Sequence, residues 1–183
     1  QAIKFYLKDD NSKPYGSFEN LKKDLDKHNE HLVFAMNAGM FMDNLMPLGL
    51  FIENGKVISK LNTRKNAHGN FYLQPNGVFY ISQTPNISST NSFHNDPKIK
   101  FATQSGPLLV INHKINPTLI NASHSKTIRN GVCIDNSNTV VLTISKEPVS
   151  FSEMATYFKE NLHCRNALYL DGAISQAYKA NRL

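Results

Sequence analysis

The chain has no tryptophan, only two cysteines among 183 residues, and no apolar run long enough for a membrane-crossing helix. At this length a hydrophobic core forms without disulfide or metal staples. Cys133 and Cys164 sit in apolar surroundings, the first inside Gly-Val-Cys-Ile and the second after a helical pattern. They are read as buried free thiols, with one disulfide as the alternative. No lysine- and arginine-rich block occurs, so nucleic-acid binding has no electrostatic footprint. His28 and His31 flank a helix end without zinc-site spacing, and no metal site is expected. There is no internal repeat, no low-complexity run and no interdomain linker, which predicts one domain over residues 1–183. Lysine and arginine number 20 against 14 acidic residues, a net charge of +6. That surplus aids solubility and favours anionic partners such as phosphate esters or anionic glycans.

Hairpin signals dominate what is present. Residues 3–8 read as an opening strand, and Ser17 as the cap of a helix whose face is Phe18, Leu21 and Leu25. His31 to Met36 reads as a buried strand. Asn54-Gly55, Pro75-Asn76-Gly77 and Asp135-Asn136-Ser137-Asn138 each read as a hairpin turn between strands, at 48–52 and 56–58, 71–73 and 78–81, and 132–134 and 139–144. Asp135 is a turn residue in this reading. Residues 82–98, rich in Ser, Thr, Asn and Pro, read as an irregular excursion. The run Val140-Val141-Leu142 reads as a strand covered on both faces. Ser150 and Glu153 have capping-box spacing ahead of a helix carrying Phe151, Met154, Ala155, Phe158 and Leu162. Ala167 to Leu170 reads as the last buried strand. The predicted class is α+β: a mostly antiparallel or mixed β-sheet with several hairpins, flanked by two main helices.

Several strands end in a polar side chain beside a glycine: Asn37-Ala38-Gly39-Met40-Phe41, Gly69-Asn70-Phe71, Gln104-Ser105-Gly106-Pro107, Arg129-Asn130-Gly131 and Asp171-Gly172-Ala173-Ile174-Ser175. Glycine permits the close backbone approach that ligand-binding loops use, and such loops at strand ends are where sites form. The same residues also build ordinary turns. Taken in order, with Pro47-Leu48-Gly49-Leu50 and Asn54-Gly55, these clusters resemble the motifs of the phosphodiester glycosidase family, and the likeness runs from Gly16 to Tyr178. Among family members it is closest to the short bacterial ones. One departure stands out: the family usually has two glycines before x-Ser, whereas here Ala173 takes the second position.

The resemblance implies hydrolysis of a sugar-1-phosphodiester, of the N-acetylglucosaminidase type, on a bacterial envelope glycan or glycoconjugate. No cofactor is implied. A phosphate monoester is a good leaving group, its second pKa being near 6. The chemistry then needs a cation for the diester and a carboxylate for positive charge developing at the anomeric carbon. Arg129 fits the first role and Asp171 the second, with Ser175 bonding Asp171 or the phosphate. Asn37, Gly39, Asn70, Gln104, Ser105, Gly106 and Gly172 are the expected substrate-binding positions. Thr63-Arg64 offers a second phosphate ligand, and His68 is a loop histidine with acid–base capacity. Asn37, Gln104, Arg129, Asp171 and Ser175 are expected to converge on one cleft. A non-catalytic module binding envelope glycan or sugar phosphate is the alternative, favoured by Ala173. The start at Gln1 and the envelope location of sugar-phosphate polymers give an expectation of export to the periplasm or envelope.

Overall fold

A computed structural model describes residues 3–121, 125–172 and 175–180, with side chains 120 and 121 left aside. In chain order the elements are helix α1 (Phe18–Lys27), strands β1 (Phe34–Met36), β2 (Phe51–Glu53), β3 (Lys56–Ser59), β4 (Gly77–Ile81), β5 (Pro85–Ser89), β6 (Phe101–Ser105), β7 (Leu108–Ile111), β8 (Lys114–Ile115), β9 (Asn130–Asp135) and β10 (Val140–Ile144), helix α2 (Phe151–Thr156), and strands β11 (Cys164–Tyr169) and β12 (Ala177–Lys179). Every ladder among the described residues is antiparallel. Two five-stranded sheets form, in the orders β3-β2-β6-β4-β5 and β10-β9-β11-β7-β8, and β1 with β12 makes a separate two-stranded ribbon. The fold is α+β.

The sheets are joined by a core of Phe79 and Ile87 from one and Leu108, Val132, Ile134, Leu168 and Leu170 from the other. Strand alternation turns the intervening residues outward. Thus Cys133, Ala167 and Tyr169 face a second core with Phe151, Met154, Ala155 and Phe158 of α2 and the π-helical turn Tyr157–Asn161. Both helix starts follow the sequence signals. Ser17 Oγ accepts from Asn20 N at 3.2 Å. Ser150 Oγ accepts from Glu153 N at 3.2 Å while Glu153 Oε2 accepts from Ser150 N at 2.7 Å, a closed capping box.

The structure corrects several local expectations. Cys133 and Cys164 form a disulfide, 31 residues apart. They lie on adjacent strands β9 and β11, on the face covered by α2, with their Cα atoms 5.9 Å apart. Residues 3–8 form no ladder; Lys8 makes an isolated bridge to Pro14, and Phe5 packs among Phe51, Phe79 and Phe101 at 5.7–6.1 Å. Residues Asn70–Tyr72 are a 3-10 turn rather than a strand. The hairpin partner of β4 is instead β5, inside the segment expected to be irregular. Here cross-strand pairing outweighed a polar composition. β1 is only half-buried, and β10 is a half-buried edge strand rather than one covered on both faces. β12 follows the strand expected to be last. Asp135 is a turn residue, its Oδ1 accepting from Ser137 N and Thr139 N, both at 2.8 Å.

Candidate active site

The antiparallel register of β9 and β11 sets the site. Tyr169 lies opposite Gly131, and one step further Leu170 N donates to Asn130 O at 3.1 Å. Arg129, just before β9, and Asp171, just after β11, therefore sit at the same end of one sheet. Residues 129 and 131, like 169 and 171, alternate onto the α2 face. Asp171 is 7% exposed and its N donates to Ala38 O at 3.0 Å. The segment 37–39 thus closes over this end.

Arg129 is 1% exposed, the largest fully buried side chain. Its Nε donates to Val149 O at 2.8 Å, Nη2 to Ser125 O at 2.9 Å and Nη1 to the Tyr169 hydroxyl at 3.2 Å. The guanidinium stacks on Phe151, 3.8 Å from its ring centroid, and lies 5.3 Å from that of Tyr169. Among the described residues no carboxylate forms an ion pair with it. Such a buried cation surrounded by neutral acceptors favours an anion nearby.

Tyr169 is the hub that sequence reading missed. Burial pushes its phenol up. The Arg129 guanidinium opposes this by its charge and hydrogen bond, the Asp171 charge adds to the rise, and the neighbouring Asn70 side chain lowers it. One hydroxyl is therefore influenced by Arg129, Asp171 and Asn70 together. Gly172 is required by the same group, because a Cβ there would lie 1.8 Å from the Tyr169 hydroxyl oxygen. The available signal was the period-2 spacing of Tyr169 and Asp171.

The other expected residues divide into two groups. Asn37 joins the Arg129–Asp171 end as a brace: its Oδ1 accepts from Gln176 N at 2.8 Å and its carbonyl from Asn130 Nδ2 at 2.9 Å. Ser175 Oγ lies 3.2–3.5 Å from the carbonyls of Gly172, Asp171 and Ile128 and from Asn130 Oδ1, so it ties the loop after Asp171 to the start of β9. Gln104 is 1% exposed with its side chain fully engaged. Its Oε1 accepts from Leu50 N and Asn62 N, and its Nε2 donates to Asn62 O and Thr90 Oγ1, at 2.7–3.1 Å. An amide has two acceptor and two donor positions, so none is left for a sugar hydroxyl. Gly39 packs against that strand, where a Cβ would fall 2.2 Å from Gln104 O. Ser105 is buried, its hydroxyl without a hydrogen-bond partner among the described residues. A Cβ on Gly106 would meet Asn76 at 2.5 Å. Thr63, Arg64 and His68 are exposed on the loop after β3. Ala173 lies outside the described residues. Among the described residues no three His, Cys, Asp or Glu side chains cluster for a metal ion.

The model of the phosphodiester glycosidase family matches residues 30–182. The chain belongs to the phosphodiester glycosidase family. It is 36% identical over 179 residues to YigE, an uncharacterized protein of Escherichia coli (strain K12), covering 97% of this chain and 70% of that one. Among solved structures it is similar to the catalytic domain of zebrafish N-acetylglucosamine-1-phosphodiester alpha-N-acetylglucosaminidase, auto-inhibited by its pro-peptide, with a TM-score of 0.58 and 17% identity over 80% of this chain and 53% of that chain. It is also similar to a hypothetical protein from Synechocystis, with a TM-score of 0.51 and 14% identity over 87% of this chain and 49% of that one. The chain spans about half the length of these two solved structures. At those identities the likeness is one of fold.

Proposed function

We propose that this member of the family hydrolyses a sugar-1-phosphodiester at its glycosidic bond. The observation that carries the reading is the buried Arg129 guanidinium, with no ion-paired carboxylate among the described residues, at the same sheet end as the Asp171 carboxylate. The bond between the anomeric carbon and the phosphate oxygen breaks, its electron pair leaving with the phosphate monoester. Water adds to the anomeric carbon and releases a proton to solvent. The leaving group needs little protonation, so barrier lowering falls on charge.

Asp171 has the charge to stabilise positive character at the anomeric carbon. Arg129, held by two backbone carbonyls and the Tyr169 hydroxyl, supplies a fixed positive field on the phosphate side. In a water-poor interior such a field acts over more distance than it does in solvent. Asn70 acts on the Tyr169 hydroxyl, while Asn37, Gly39, Ser175 and Gly172 hold the frame.

The proposed substrate is an envelope glycan or glycoconjugate, and the proposed location is outside the cytoplasm. The Cys133–Cys164 disulfide supports that location, because such bonds persist mainly in oxidising compartments. The test is incubation with N-acetylglucosamine-1-phosphomethyl ester, with products followed by NMR. Free sugar and methyl phosphate support the reading. Saturable binding without turnover makes the chain a sugar-phosphate binder.

A further inference from the structure

The loop between β3 and the 3-10 turn Asn70–Tyr72 is pinned at both ends. At its root Asn62 N donates to Gln104 Oε1 at 2.9 Å, Asn62 Nδ2 donates to Leu48 O at 2.9 Å, and Asn62 O accepts from Gln104 Nε2 at 2.7 Å. The buried Gln104 amide thus holds the loop in place. At the far end Phe71 is buried, and its carbonyl accepts from Asn76 Nδ2 at 3.1 Å. Asn70 there acts on the Tyr169 hydroxyl, which accepts from Arg129. The loop therefore runs up to the edge of the candidate site. Between its pins Thr63, Arg64, Lys65, Asn66 and His68 are exposed, and Lys60 is exposed just before them. Lys60, Arg64 and Lys65 form no ion pair among the described residues, whereas Lys4, Lys22, Lys23 and Lys126 each meet a carboxylate. The sequence has no Asp or Glu between Glu53 and Asp96, so no nearby stretch of chain neutralises the loop. Arg64 and Lys65 lie six and five residues before Asn70, hence within about 22 Å of it.

We propose that this loop is an exosite for further phosphate groups of the substrate, which is accordingly a polyanionic glycan whose sugars are joined by phosphodiesters. One linkage is cut at the Arg129–Asp171 end while a neighbouring phosphate lies on Lys60, Arg64 and Lys65. The choice of substrate rests on the sugar-1-phosphodiester reading above. A guanidinium takes phosphate oxygens in pairs, and the two ammonium groups add point charge. Single-stranded nucleic acid is bound with aromatic platforms among the cations, and residues 60–70 contain no Phe, Tyr or Trp. An anionic membrane surface attracts runs of about four to eight cations, more than the loop carries.

The test compares two probes, N-acetylglucosamine-1-phosphomethyl ester and a synthetic oligomer of N-acetylglucosamine joined by 1-phosphodiester links. Kd is read by calorimetry and turnover by NMR. The oligomer is expected to bind about tenfold more tightly than the single ester. That advantage should vanish in about 1 M salt, where charges are screened beyond roughly 3 Å. The double variant Lys60→Gln, Lys65→Gln should lose the advantage while keeping the wild-type KM and kcat for the single ester and the wild-type Tm. Equal affinity for both probes in the wild type, or undiminished oligomer affinity in the double variant, would overturn the exosite; turnover of the single ester would then leave the hydrolase reading in place. Turnover of neither probe, with the affinity difference intact, would overturn the hydrolase reading and leave the loop as a site for glycan phosphates. Tighter binding of a single-stranded oligonucleotide of equal charge, or of phosphatidylglycerol vesicles, lost in the same double variant, would make the loop a nucleic-acid or membrane contact and overturn the proposal.

Discussion

Replacing Arg129 with lysine separates the charge of this side chain from its shape. Lysine keeps the charge and loses the fork, so Arg129→Lys weakens phosphate binding. The structure adds a larger effect. Arg129 makes three hydrogen bonds, at 2.8, 2.9 and 3.2 Å, while stacked on Phe151 and 1% exposed. Three guanidinium nitrogens, Nε, Nη1 and Nη2, each serve a separate acceptor, and a single lysine nitrogen in their place keeps about one of these bonds, so about two are lost. Hydrogen bonds to charged groups contribute about 1.5–3 kcal/mol each, which puts the loss near 3–6 kcal/mol. For a chain of this size, 1 kcal/mol shifts Tm by about 2–4 °C, so a drop on the order of 10 °C is expected. Thermal unfolding followed by circular dichroism reads it, with Arg64→Lys on the exposed loop as a control that should move Tm by less than about 2 °C. An Arg129→Lys protein melting within about 2 °C of wild type would refute the strut role and return Arg129 to a purely ligand-facing one.

Asp171→Asn keeps shape and removes charge, so it should lower kcat by about 10²–10³ with the far-ultraviolet spectrum unchanged; near wild-type kcat in a folded protein would make Asp171 a turn residue. The Cys133→Ala, Cys164→Ala double variant opens a loop of 31 residues, and a chain-entropy estimate gives a loss of about 3–4 kcal/mol in urea unfolding. Reductant should shift the wild-type curve toward that of the variant. Glu153 is held down to about 2 by its hydrogen bond to Lys126 and by the Ser150 N–H, from an ordinary value of 4.5. A depressed carboxylate stabilises the fold above its unfolded pKa and loses that contribution as pH falls through the folded value. Protection factors of the amides at the start of α2, taken relative to the intrinsic exchange rate at each pH, should therefore fall between about pH 4.5 and pH 2, and Glu153→Gln should flatten the dependence.

Local chemistry was legible wherever one residue fixes the geometry. Ser17, the Ser150–Glu153 pair, Asn54-Gly55 and the Asp135 turn all behave as their side chains dictate. What escaped was pairing between distant segments. Residues 85–89 became a strand because β4 offers them a ladder, and residues 3–8 did not because none is offered among the described residues. The disulfide escaped for the same reason, since nothing local tells that β9 and β11 are neighbours. At the site, Arg129 and Asp171 were legible as strand ends beside glycine. Gln104 has the same signature, yet its amide bonds Leu50, Asn62 and Thr90 of its own chain. Tyr169 was hidden by its place in an apolar run.

The claim that the chain cuts a glycosidic rather than a phosphoester bond is tested most directly by hydrolysis of N-acetylglucosamine-1-phosphomethyl ester in ¹⁸O-water, with mass spectrometry of both products. The account predicts the label in the sugar hydroxyl at the anomeric carbon and none in methyl phosphate. Label in the phosphate would mean attack at phosphorus and would contradict it.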